Sequence, residues 1–364
     1  MEDSAPDPAQ DRAPTRWPFR RQRWRGGLAG AAAGLVVLAL VGAACGSSGS
    51  GTGRGTTITL YNGQHEQTTA ALVQAFEKQT GINVKVRNDS ESVLVNQIET
   101  EGSASPADVI YAENSLSLEQ LQSQHLLAAI DPTTLAAVPA RYSSPTGHWV
   151  GVSARVSVMV YNTGRLKPAQ LPPSVMDLAL PAWKGKLGLA QGEVDFFPIV
   201  ASIIHAHGEA AATAWLAGVK NNAGGNVYPD NETLTSEVDK GQVEIGIINQ
   251  YYWYRIRAED GASSTAIAAF APGDPGYVLD VSGAGVLAST KESAAAQRFV
   301  AFLVSRQGQE ILAHSDSFEY PLGSGVTTAK PLPPFDSLQP ASLTIGELGN
   351  GAAAIALLQQ AGLA

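Results

Sequence analysis

The order strand, helix, strand, helix, strand repeats within residues 57–111, and this pattern confines the chain to an α/β fold. Thr57-Ile58-Thr59-Leu60-Tyr61 alternates in the period of a strand and is broken by Asn62-Gly63. Ala70, Leu72, Val73 and Phe76 then recur at helical spacing over 67–80, ahead of Gly81. Ile82 to Val86 reads as the next strand, 91–101 as a helix, and Ala107 to Tyr111 as a short apolar strand. Such spacing predicts a mainly parallel sheet with crossover helices.

A second unit of the same kind follows. Val150 to Tyr161 is a long β-rich segment, and Pro172, Pro173 and Pro181 break the chain before Gly185 to Leu189. Helices are predicted over 196–206 and 209–219, a buried strand over Gly241 to Ile248, further β structure over 277–288, and helices over 292–306 and from 344 onward. The 364 residues are enough for two cores, and 44% apolar with 16% charged residues is an ordinary globular mix. The long segments near 150–161 and 277–288 suit crossings between two lobes of a clamshell. The expected organisation is a first lobe over 57–157, a second over 158–278, a return to the first over 279–335, and a C-terminal helical segment over 336–364 that packs on the second.

Residues 1–44 read differently. Six arginines between Arg12 and Arg25 precede an Ala/Leu/Val/Gly run from Gly26 to Ala44, the pattern of an export signal. The run ends at Cys45, the only cysteine of the chain, in a setting that resembles the lipobox of bacterial lipoproteins, although Gly42 stands where a larger aliphatic residue is usual. Residues 46–56 are rich in Gly, Ser and Thr and read as a tether. Lipidation at Cys45 and an extracytoplasmic, membrane-anchored monomer are therefore expected. The part beyond residue 44 has 18 basic and 29 acidic residues, a net of −11, which argues against a nucleic-acid partner and suits a cation or small molecule.

Three segments place polar or phenolic groups just past the C-terminal end of a predicted strand, where open α/β sheets bind ligands. They are Tyr61-Asn62-Gly63-Gln64-His65, Ser105 to Asn114, and Ile248-Asn249-Gln250-Tyr251-Tyr252-Trp253. One imidazole, one carboxylate and two phenols suit a hard, highly charged cation. As anions, Glu113, Tyr251 and Tyr252 balance three positive charges, and His65 adds a neutral donor. Adjacent tyrosines in mid-strand point to opposite faces, but in the first turn of a helix beginning after Asn249 both reach one cleft. Each segment also has a plain structural reading: an aromatic core cluster at 251–254, a solvated loop histidine, and a glutamate drawn to a helix start by its dipole.

Taken together, the segments resemble the bacterial ferric-iron-binding proteins of iron-uptake ABC transporters, within the type II periplasmic binding proteins. Pro106-Ala107-Asp108-Val109, Ser282-Gly283-Ala284-Gly285-Val286-Leu287 and Tyr320-Pro321-Leu322 extend the resemblance from residue 57 to the end. It implies a two-lobed fold hinged on two crossover β segments, Fe(3+) as transported ligand on His65, Glu113, Tyr251 and Tyr252, and an ABC transporter permease as partner. A bound anion often completes the iron shell in this family. Asn231 and Asn249 match anion-holding positions, and Asn114 a neighbouring polar contact. Gln191-Gly192-Glu193-Val194-Asp195 replaces the small-residue turn expected for the anion. Glu193 and Asp195 repel phosphate if they face the cleft, so carbonate, water or another side chain is expected in its place.

Other readings weigh less. Thiamine, polyamine or phosphonate binding in the same fold has no need of a tyrosine pair with histidine, while an iron-sensing lipoprotein uses the same cleft as a carrier. An enzyme is not expected: the chain has no His-Glu-x-x-His, Gly-x-Ser-x-Gly or P-loop pattern. Gly283 to Ala288 mimics a dinucleotide turn without its N-terminal βαβ setting, and His205 and His207, two apart on a helix, point to different faces.

Overall fold

The computed structural model describes residues 55–190, 193–261, 263–323 and 325–363. Cys45, the export-signal pattern and most of the tether lie outside them. Nine strands form among the described residues: β1 (Thr57–Asn62), β2 (Asn83–Asn88), β3 (Val109–Ala112), β4 (Trp149–Asn162), β5 (Leu187–Gly188), β6 (Ile245–Asn249), β7 (Thr265–Ala268), β8 (Leu279–Val286) and β9 (Tyr320–Pro321). Their order is β2-β1-β3-β8-β4-β6-β5, with β7 and β9 also paired to β4.

The mainly parallel sheet expected from the alternating pattern is corrected. Only β1–β2, β1–β3 and β5–β6 are parallel, while β4 and β8 run antiparallel to every strand they touch. The reason lies in the two long β segments. They form the middle of the sheet rather than separate edges, so each small parallel set is closed off by a strand of opposite direction.

Two apolar cores flank this middle. Leu60, Phe76, Ile110, Trp149 and Phe299 belong to the first, and Val160, Trp215, Leu216, Leu234 and Ile245 to the second. β4 serves both, with residues through Ala154 in the first core and residues from Val156 in the second. β8 crosses beside it: Val281, Ala284 and Val286 lie in the first core, and Leu279 packs against both. The crossing point is Arg155 opposite Asp280, which are register partners. At the C-terminus, Ala354, Leu357 and Leu358 of helix Ala352–Ala361 join the second core.

The glycines of the hinge answer to packing. A Cβ on Gly283 of β8 would meet Leu118 and Trp149 at 2.8 Å, which accounts for a dinucleotide-like string inside a strand. Gly151 lies beside the register shift of the β4–β8 ladder, and a Cβ there would come within 2.1 Å of the Tyr142 carbonyl oxygen. Backbone atoms cannot swing aside as a side-chain tip can. Gly151→Ala is expected to cost about 1–3 kcal/mol, read as a lower thermal unfolding midpoint; an unchanged midpoint would refute the close approach.

Candidate functional site

Three strand ends converge, each by a local device. After β1, Asn62 donates through Nδ2 to the Gln64 carbonyl at 2.8 Å and accepts from Thr69 Oγ1 at 2.9 Å. Gln64 Oε1 accepts from the His65 amide at 2.8 Å, and its Nε2 donates to Ser282 Oγ at 2.7 Å. The turn is thereby tied to β8, and His65 stands at the head of helix Glu66–Thr80. It is not a solvated loop residue: its Nε2 is cut off from solvent and has no hydrogen-bond partner. After β3, Glu113 precedes Asn114, which caps helix Ser115–Ser123 by accepting from the Leu116 amide at 2.9 Å. After β6, helix Gln250–Asp260 begins. Gln250 pins its start by accepting from the Val156 amide at 2.7 Å and donating to the Phe318 carbonyl at 3.0 Å.

That pinned first turn sends Tyr251 and Tyr252 the same way. Their ring centroids are 4.1 Å apart at 31°, and the His65 ring lies 4.9 Å from Tyr251 edge-on at 76°. Both tyrosines are buried in the second core, and Tyr251 is more than apolar filling, because its Oη donates to Asp195 Oδ2 at 3.4 Å. Trp253 and Tyr254 turn elsewhere, and Tyr254 stacks on Phe318. His205 and His207, by contrast, are exposed at the end of helix Phe197–His207.

The three asparagines divide. Asn114, besides capping, donates to the Val194 carbonyl at 3.1 Å, so both ends of its amide are engaged. Asn231 donates to Asp195 Oδ2 at 3.4 Å. Asn249 heads its helix without capping it, and its Nδ2 is buried and unpartnered. His65 Nε2 and Asn249 Nδ2 are two of the few buried polar atoms without a partner among the described residues. Such atoms are costly to leave unmade, and they point to a site built for something bound.

Sequence reasoning missed the most heavily bonded groups of the site. Asp195, considered only as a source of repulsion toward phosphate, lies in the short turn Val194–Phe196 and touches Tyr251, Asn231 and Arg155. Arg155 is not among the residues that the sequence singles out. Its one visible signal was a lone charge inside the apolar run of β4, where an unpaired guanidinium is not tolerated. Glu91, Asp280 and Glu319 are buried nearby as well.

Burial dominates the electrostatics. It pushes the His65 imidazole down to about 3, helped by the positive charge of Arg255 and Arg155. The Glu113 carboxyl is driven well above its ordinary value by burial and then by Asp195. Burial, again with Asp195, drives both Tyr251 and Tyr252 upward. Without a cation the imidazole is thus a neutral lone-pair donor and the phenols hold their protons, while burial shifts the Glu113 carboxyl toward its protonated form. A strong cation reverses the preference of the acids. Among the described residues no three His, Cys, Asp or Glu side chains form a metal cluster.

A cleft between two α/β cores, hinged on paired strands and lined at strand ends by converging polar groups, defines a two-lobed binding protein. The chain belongs to the bacterial extracellular solute-binding protein family, whose model matches residues 104–342. It is 40% identical over 308 residues to the Fe(3+)-binding periplasmic protein of Serratia marcescens, covering 84% of this chain and 90% of that one. Iron-bound HitA from Pseudomonas aeruginosa superposes with a TM-score of 0.80 at 41% identity, over 84% of this chain and 99% of the other. The Trichodesmium IdiA (FutA) protein in complex with iron and citrate superposes with a TM-score of 0.74 at 30% identity, over 85% of this chain and all of the other.

Proposed function

We propose that this chain is an extracytoplasmic lipoprotein that captures ferric iron between its lobes and delivers it to an ABC transporter permease. The observation that carries this reading is a buried imidazole nitrogen without a partner, edge-on to one of two adjoining phenols at the head of a helix. His65 and Glu113 come from strand ends in the first core, Tyr251 and Tyr252 from a strand end in the second. Iron held by both sets favours the shut form, because only that form supplies every donor. Membrane attachment at Cys45 and the export signal over 1–44 belong to the same reading, which accounts for the acidic body and the tether. The relatives' printed descriptions, ferric binding at 40% identity and an iron-bound neighbour at 41%, support it.

Phosphate is disfavoured as a partner anion. Asp195 Oδ2 already accepts from Asn231 and Tyr251, so a carboxylate lies where an anion would need donors. Water, being uncharged, meets no such repulsion there.

The purified protein, given Fe³⁺ as a soluble chelate, is expected to develop a visible phenolate-to-iron charge-transfer band and to retain about one iron per chain after desalting, as one donor set implies. A colourless product that keeps no iron would overturn the proposal.

A further inference from the structure

Arg155 is the only Lys or Arg that is buried among the described residues, and it stands where both hinge strands leave one core for the other. Five groups surround its guanidinium. Nη2 is 2.9 Å from Asp280 Oδ2, across the β4–β8 ladder. The same nitrogen is 2.9 Å from Asp195 Oδ1, in the turn next to Phe196 of the second core. Nη1 donates to the Glu113 carbonyl, directly after Ala112 of the first core, and to Ser282 Oγ at 2.8 Å. Glu319 is 3.9 Å away.

These bonds are of two kinds. The pair with Asp280 joins the two hinge strands to each other and is local to the crossing. The bonds to Asp195 and to the Glu113 carbonyl reach out of the hinge to opposite lobes. Swinging the lobes apart must break one of the outward bonds, while the Asp280 pair can survive. Asn114 Nδ2 to the Val194 carbonyl, at 3.1 Å, crosses the cleft beside them between the same two segments.

We propose that Arg155 is the positioning residue of the cleft, a fixed cation that draws the Glu113 and Asp195 segments together before any cargo arrives. The inference rests on the ferric-capture reading for its purpose but not for its geometry. Asp195 and Asp280 each pair with this one guanidinium at 2.9 Å, Glu319 lies 3.9 Å from it, and the Glu113 backbone carbonyl accepts from it, so segments of both lobes are held through a single side chain. Arg155 supplies permanent countercharge, so the carboxyl side of the donor set stays assembled in the empty protein, and less reorganisation remains for the entering cation. It does not ligate the cargo; it acts through the two segments it holds.

The test is small-angle scattering on the iron-free protein, wild type against Arg155→Lys and Asp195→Asn. Lysine keeps the charge but loses the fork that reaches both lobes, and asparagine removes the charge of the second-lobe anchor while also changing the group that Tyr251 and Asn231 touch, so for it the iron-free scattering is the deciding readout. Both variants are expected to show a larger radius of gyration than wild type without iron. Both should also release bound Fe³⁺ to excess chelator roughly 10–100-fold faster, as for loss of an outer partner of a metal site. Iron-free scattering curves that superimpose on wild type for both variants would overturn the proposal. Should Arg155→Lys fail to fold, Asp195→Asn alone decides, because its loss leaves the Arg155–Asp280 pair in place. Wild-type protein that takes up no iron would sink the ferric reading, yet the iron-free scattering would still decide the role of Arg155.

Discussion

Tyr251→Phe and Tyr252→Phe are each expected to lower ferric affinity by more than the roughly 10–100-fold that follows loss of an outer partner of a metal site. The loss should be larger because each substitution deletes an anionic donor outright. On the proposed ligand set each phenolate neutralises one of three positive charges, and neither ring has a substitute behind it: Asp195 is shared with Arg155 and Asn231, and the His65 nitrogen is neutral. The visible band should weaken in each single variant and vanish in the double one. Folding should survive, since the Tyr251 hydroxyl makes one long bond, 3.4 Å to Asp195, and the ring keeps its packing. Competition against a soluble chelator, absorption spectra and thermal unfolding of the iron-free variants check the three statements. Full colour and unchanged affinity in both single variants would reassign the ligands.

The contrast between those tyrosines and Arg155 explains which parts of the site were legible in the sequence. Tyr251 and Tyr252 come directly after Gln250, the residue that follows the strand Ile245–Asn249, so strand periodicity and a helix-start signal placed them at a sheet edge together. The same logic singles out His65 and Glu113 just past β1 and β3. Local rules suffice wherever the informative event is the end of an element. Arg155 and Asp280 lie inside strands, 125 residues apart in sequence, and their pairing depends on the register of two hinge strands that no local pattern reports. The same register undid the expectation of a mainly parallel sheet. Strand direction at the centre is set by where β4 and β8 are carried, not by composition. Asp195 was visible as a charge, but its partnership with Tyr251 and Asn231 requires three separate segments to be placed at once.

Acid should stabilise the empty protein and weaken the loaded one. Burial raises the Glu91 carboxyl from 4.5 to about 7 and Asp280 from 3.8 to about 7, and Glu113 moves the same way. A folded chain that holds these protons while the unfolded chain has released them loses stability as pH rises from the unfolded values toward about 7. His65 works in the opposite sense. Its folded value of about 3 lies below the ordinary 6.5, so its contribution is present above 6.5 and is lost as pH falls toward 3. One imidazole is outweighed by several carboxyls, so the iron-free unfolding midpoint is expected to be higher near pH 5.5 than near pH 7.5. On the proposed ligand set iron reverses the sign, because binding must then expel the phenol protons of Tyr251 and Tyr252 and, where it is still held, that of Glu113. Two phenol protons alone make the apparent affinity fall about 100-fold per unit of pH decrease. Unfolding scans with and without Fe³⁺ across this range, together with chelator competition, measure both trends. An affinity that does not vary with pH would mean that the donors enter already ionised, and the phenols would then have to be removed from the ligand set.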